Sequence, residues 1–133
     1  MSSSQARRLD VSVERFDLAA PFVISRGAKT VAEVVTVTLE EGLFRGRGEC
    51  VPYGRFGETL GGVVTAIEGL RGALEAGLER EALQGLLPAG AARNAIDCAL
   101  WDIEAKRLGV RAHEMAGLHR LAPVVTAFTI SVG

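Results

Sequence analysis

The segment Ala91–Leu118, AARNAIDCALWDIEAKRLGVRAHEMAGL, constrains the fold more than any other part of the chain. Ala92, Ala95, Ile96, Ala99, Leu100 and Ile103 recur at the three- and four-residue spacing of an amphipathic helix. Cys98, Trp101, Ala105 and Leu108 fall on roughly the opposite side of the same helical wheel. Charges are confined to two narrow wedges, Arg93, Asp97 and Glu104 in one, Asp102 and Lys106 in the other. Such a helix is covered on two sides. The rest of this chain can cover one; the other asks for a partner.

With 133 residues, 48% of them hydrophobic, the chain is long enough for one domain with a real core. A formal net charge of -1 argues against a phosphate-binding surface, and so against nucleic acid as a partner. The apolar runs are shorter than the ~20 residues a membrane-spanning helix needs, and Met1–Arg8 has no hydrophobic run of the signal-peptide kind. Cys50 and Cys98 belong to no CxxC or Cys/His cluster, which excludes a structural zinc site. They read as reduced, small core residues of a cytoplasmic protein.

Taken in order, Leu9–Leu18 alternates apolar and polar and then slips phase, predicting a half-buried strand with a bulge near Arg15 that ends at Pro21. Pro21–Thr30 reads as a loop. Thr30–Glu40 is dense in β-branched residues and predicts a second strand, and Leu43–Val51 a third, loosened by Gly46 and Gly48. The Glu41-Gly42 turn between them favours an antiparallel meander. Pro52–Thr59 is a second loop, and Thr59 an N-cap for a helix that runs to about Leu78. Arg80–Leu87 reads as a short helix closed by Pro88, Gly109 as the glycine ending the main helix, and His113–Leu118 as a helical turn. Pro123–Val132 alternates again and predicts a strand with an exposed edge and face.

No complete catalytic constellation stands out, so no residue is assigned a catalytic or metal-binding role. His113 and His119 lack ligand spacing and read as surface or structural residues. The acidic residues form no oxygen-rich metal set, and the glycines form neither a GxGxxG nor a P-loop. Ser25 and Ser131 have no base nearby in sequence. Two loops remain. Arg26 is a fork for a small carboxylate or a solvated loop arginine. Phe22, Ile24 and Tyr53 line a pocket or pack the loops down, and Thr129 faces a site or continues a β-branched run.

The stretch PAGAARNAIDCALWDIEAKRLG resembles the helical region of the N-terminal capping domain in the enolase superfamily, of the mandelate racemase/muconate lactonizing enzyme type. Together with PFVISRGAKT and GRGECVPYGRFGET, in this order, it is similar to dipeptide epimerases of the L-Ala-D/L-Glu kind. The resemblance implies an α+β capping domain over residues 1–122, a three-stranded antiparallel meander followed by helices. It makes 123–133 the first strand of a (β/α) barrel that is otherwise missing. It also implies proton transfer at the carbon next to a carboxylate, with two barrel lysines as base and acid and magnesium held by barrel carboxylates. Lys29 and Lys106 match neither lysine. What carries over is substrate binding, with Arg26 meeting the glutamate side of a dipeptide, Phe22, Ile24 and Tyr53 shaping the pocket, and Thr129 facing the substrate.

The expectation is therefore the N-terminal part of a magnesium-dependent dipeptide epimerase of murein peptide metabolism, inactive as 133 residues and a homo-oligomer when full length. A small dipeptide is its partner once a barrel is joined, with neither nucleic acid nor membrane involved. Two rivals stand beside it. One is another racemase or cycloisomerase of the superfamily, acting on N-acylamino acids or muconate; the other is a non-catalytic stand-alone cap.

Overall fold

β-Branched residues build the sheet. In the computed structural model, which describes residues 6–25 and 27–130, strands β1 (Arg8–Ile24), β2 (Gly27–Glu41) and β3 (Phe44–Cys50) form an antiparallel meander in the order β1-β2-β3. Val35, Val37 and Leu39 alternate onto one face of the central strand and are fully buried there. The other face carries cross-strand ion pairs, Arg8 with Glu40 and Arg47 with Glu14.

The first hairpin is longer than expected. β1 does not end at Pro21, and Pro21–Thr30 is not a loop: Phe22–Ile24 pairs with Gly27–Lys29 after a break in register. Leu18 to Pro21 stand opposite Thr30 alone, so the bulge lies beyond Asp17 rather than near Arg15. Pro21 is tolerated because β1 is an edge strand and the bulge needs no N–H from it. Beyond Asp17 the hairpin arm contains no buried residue and stands clear of the core.

Helices cover the inner face. α1 (Leu60–Glu68) starts at Thr59, whose hydroxyl accepts the Gly62 N–H at 3.0 Å. The expected single helix to Leu78 breaks at Gly69-Leu70 into α1 and α2 (Arg71–Glu75), where the Leu70 N–H reaches back only three residues to Ile67. Glycine at 69 weakens the turn, and the break lets Ile67 and Leu74 both enter the core. α3 is shorter than expected, Arg80–Leu83. α4 (Ala91–Leu108) ends as its spacing predicts, at Gly109 with φ 67°; α5 is Ala112–Met115.

The sheet-facing side of α4 (Ala95, Ile96, Ala99, Leu100 and Ile103) is buried against β2 and β3. Gly46 and Gly48 do not loosen β3, which is paired along its length. They form the seat of the helix: a Cβ on Gly48 would stand 1.9 Å from the Ala95 carbonyl oxygen, and one on Gly46 2.3 Å from that of Ala99. On the other side of α4, Arg80 from α3 lies 4.2 Å over the Trp101 ring. Leu108 remains exposed, and so does Cys98, which is therefore not the core residue expected. It flanks the edge of β3 and stays open to solvent there, on the stripe with Asn94, whose amide donates to the Glu49 carbonyl at 3.4 Å, and Asp102, which accepts the Arg47 N–H at 2.9 Å. Cys50 is buried as expected, and burial pushes its thiol up to about 11.

Pro123–Ile130 joins no ladder among the described residues. Val124, Val125, Phe128 and Ile130 are 84–99% exposed. The alternating pattern expected of a strand is there, but a strand needs a partner edge and β1 and β3 offer theirs elsewhere.

Candidate substrate cleft

The hairpin arm and the Pro52–Thr59 loop enclose an open cleft of about 840 Å³, with Leu18, Phe22, Val31 and Pro52 among its apolar lining and Lys29 and Glu58 among its charged groups. Phe22 and Lys29 are cross-strand partners, so the pleat sends both side chains to the same face. The Lys29 ammonium lies 5.9 Å from the centroid of the Tyr53 ring and forms no ion pair among the described residues. Tyr53 meets Phe56 in a tilted pair, with centroids 5.6 Å apart and planes inclined by 56°.

A tight turn shapes the Tyr53 side. The Phe56 N–H donates to the Tyr53 carbonyl at 2.9 Å, and Gly57 closes the 3₁₀ turn Gly54–Phe56 with φ 75°, a conformation that favours glycine. One side chain ties this turn to the rest of the domain. Glu58 accepts the Tyr53 N–H at 2.9 Å on one oxygen and the Ala91 N–H, at the start of α4, at 2.7 Å on the other. The bonds from Ala91 and then Tyr53 hold its carboxyl below the usual range.

The residues singled out from the sequence separate on this frame. Phe22 is in the cleft wall. Tyr53, 41% exposed, lies beside Lys29 at its rim. Ile24 is exposed at the far end of the hairpin, paired with Gly27. Thr129 lies in the exposed, unpaired segment and is not brought to the cleft. Arg26 lies outside the described residues. Sequence reasoning passed over Lys29 as a wall residue and Glu58 altogether. The register pairing Lys29 with Phe22 was the signal for the first; for the second there was only an acid next to an N-cap.

The donor set does not suit a metal. No group of three or more His, Cys, Asp or Glu side chains is placed to hold one among the described residues, and both oxygens of Glu58 are engaged by N–H groups. No helix is long and apolar enough to cross a membrane among the described residues.

Known proteins resemble this arrangement closely. Residues 6–117 match the model for the mandelate racemase / muconate lactonizing enzyme, N-terminal domain. Over 127 residues the chain is 46% identical to the L-Ala-D/L-Glu epimerase of Escherichia coli (strain K12), a match covering 96% of this chain and 40% of that protein. A crystal structure of an enolase family member from Agrobacterium tumefaciens with homology to dipeptide epimerases, with bound sodium and L-Ala-L-Glu, aligns at 52% identity and a TM-score of 0.89. It covers 96% of this chain and 39% of that one. The dipeptide epimerase from Enterococcus faecalis V583, complexed with Mg and L-Leu-L-Tyr, aligns at 25% identity and a TM-score of 0.71, over 84% of this chain and 34% of that one. The chain thus spans at most 40% of the length of each of these proteins. With a three-stranded meander followed by helices and a family model matched from end to end of that unit, the chain belongs to the mandelate racemase/muconate lactonizing enzyme family, as its N-terminal domain.

Proposed function

We propose that this domain is the substrate-selecting cap of a dipeptide epimerase acting on L-Ala-D/L-Glu, and that the reacting groups come from a barrel outside these 133 residues. The observation that carries the reading is the cleft between arm and Tyr53 loop, in a chain 52% identical to an enzyme relative with L-Ala-L-Glu bound. Its lining joins apolar side chains to a lysine, which suits a small ligand with an apolar part and a carboxylate. Arg26 is the fork for the glutamate carboxylate, and Phe22, Ile24 and Tyr53 are the walls. The segment 123–133 is the first barrel strand, with Thr129 facing the substrate. The exposure of Val124, Val125, Phe128 and Ile130 supports this, since an alternating apolar strand is stable only when paired and covered.

Moving a proton on and off the carbon next to a carboxylate needs a base and an acid on opposite faces of that carbon. In this reading the base, the acid and the magnesium ligands belong to the barrel, and the cap binds and orients the substrate. The free thiols, Cys50 and Cys98, support a reducing, cytoplasmic setting.

The test is exchange of the Cα proton of L-Ala-L-Glu for deuterium, followed by NMR. The isolated chain gives none; residues 1–122 joined to the barrel of the Agrobacterium relative give turnover that Arg26→Ala sharply weakens. Turnover by the chain alone overturns the division of labour. A folded, magnesium-binding chimera that ignores L-Ala-L-Glu overturns the substrate.

A further inference from the structure

Glu58 stands where three pieces of the domain meet. It lines both the substrate cleft and a second cavity of about 410 Å³ behind it, closed by Val63 of α1 and by Leu87 and Pro88 ahead of α4. Its carboxylate bridges two backbone N–H groups that are far apart in sequence, Tyr53 at 2.9 Å and Ala91 at 2.7 Å. Ala91 opens an 18-residue helix with no acidic residue in its first turn and no side-chain cap from its own N-cap, so Glu58 supplies the negative charge favoured at that end.

Gly90 makes room for it. Its φ of 161° is close to extended, so the backbone alone does not require glycine. A Cβ there would lie 2.9 Å from the Glu58 oxygen that accepts the Ala91 N–H. Carboxylate and glycine are thus two halves of one fitting.

We propose that Glu58 is a positioning residue for substrate selection: by bridging Tyr53 and Ala91 it fixes the Tyr53–Phe56 turn, at the rim of the cleft, to the N-terminus of α4. This deepens the reading of the domain as an epimerase cap and rests on it for the meaning of the wall. The rigid reference is α4, seated without slack on Gly46 and Gly48. The positioned element is the Tyr53 ring, which lies 5.9 Å from the ammonium of Lys29 in the cleft lining. Glutamine at 58 puts an NH2 donor where one of the two carboxylate oxygens stood, so one of the two N–H groups faces a donor and loses its bond.

Amide hydrogen exchange on this chain, with Glu58→Gln and Gly90→Ala, tests the bridge without any substrate. A failed bridge is thereby kept apart from a wrong substrate. Rates at Tyr53 and Ala91 are read relative to core amides Val35 and Ile96, so that a general loosening cancels. In Glu58→Gln at least one of the Tyr53 and Ala91 amides, and in Gly90→Ala the Ala91 amide, is expected to exchange at least about ten-fold faster. The ring-current shift of the Lys29 side chain by Tyr53 is expected to fall. Relative rates within about two-fold of the unaltered chain at both amides in Glu58→Gln, or an unchanged Lys29 shift, overturn the proposal.

Discussion

Arg7→Met is expected to destabilise the domain by about 3 kcal/mol, while Arg107→Met, which serves the same two carboxylates, costs about 1 kcal/mol or less. The Arg7 side chain is only 2% exposed. Its Nε donates to Glu41 at 3.0 Å, Nη1 to the Leu78 carbonyl at 2.7 Å, and Nη2 to Glu79 at 3.4 Å. It thus ties the start of β1 to the end of β2 and to the α2–α3 connection. Methionine keeps much of the buried stem and removes every donor, leaving the Leu78 carbonyl unpaired and Glu41 with Arg107 alone. Breaking a buried ion pair from one side costs about 3–5 kcal/mol. Glu41, 27% exposed and still held by Arg107, puts this case at the lower end. Arg107 is 28% exposed and reaches both carboxylates at 3.3–3.4 Å, so water replaces it at little loss. The assay is urea unfolding at pH 7, with the midpoint read at constant slope. Thermal melting offers a second measure, at about 4 °C per kcal/mol for a chain of this size. Adding Glu41→Gln to Arg7→Met relieves the stranded carboxylate, so the double variant is less destabilised than the sum of the singles. Equal effects at Arg7 and Arg107, or a loss below about 1 kcal/mol at Arg7, would refute the reasoning.

Gly48→Ala is expected to cost about 3 kcal/mol or more, because the new methyl meets the Ala95 carbonyl of a packed helix rather than a side chain that can turn aside. A urea midpoint within error of the unaltered chain would show that α4 is free to lift. A thiol reagent should label Cys98 alone in the folded chain and both cysteines in denaturant, since Cys50 is buried with its thiol pushed up to about 11; fast labelling of Cys50 in buffer would contradict the packing. Stability should be level from pH 7 to 5 and fall below about pH 4. Burial pushes the Glu41 carboxyl up, but hydrogen bonds from Arg7 and Arg107 more than offset it, and the carboxyl titrates below its usual range. A group lowered in this way stabilises the fold above its ordinary pKa and stops doing so as pH falls through the lowered value, so a urea midpoint that rises on acidification would refute it.

The main helix and the strand cores were legible because burial leaves a periodic mark. Of the six residues chosen by spacing alone, Ala95, Ile96, Ala99, Leu100 and Ile103 are buried and Ala92 is partly buried against them. Val35, Val37 and Leu39 were legible for the same reason at period two. Misreadings came where a residue acts through the space around it. Pro21 breaks central strands, but at an edge bulge its missing N–H is not needed, so the arm runs on to Ile24. Cys98 keeps the spacing of a second buried stripe, yet spacing does not say whether anything lies opposite. The substrate-binding roles of Arg26, Phe22, Ile24, Tyr53 and Thr129 all rested on resemblance, and among the described residues of that set Phe22 and Tyr53 are beside the cleft.

The glycines carry the same lesson further, because they link the core to the cleft. Gly46 and Gly48 look like weak points in a strand when read one residue at a time. In place, they let the α4 backbone lie against β3 with no side chain between, which sets the height of the helix over the sheet. That height fixes where the Ala91 N–H emerges, and glycine at position 90 leaves room for the Glu58 oxygen that accepts it. Three positions that carry no side chain thus adjoin the route from the core, through Glu58, to the Tyr53 turn at the rim of the cleft. Hydrophobic patterning registers what a residue brings to a contact. It is silent about a residue whose role is to leave room, and in this domain the shape of the candidate site depends on such residues.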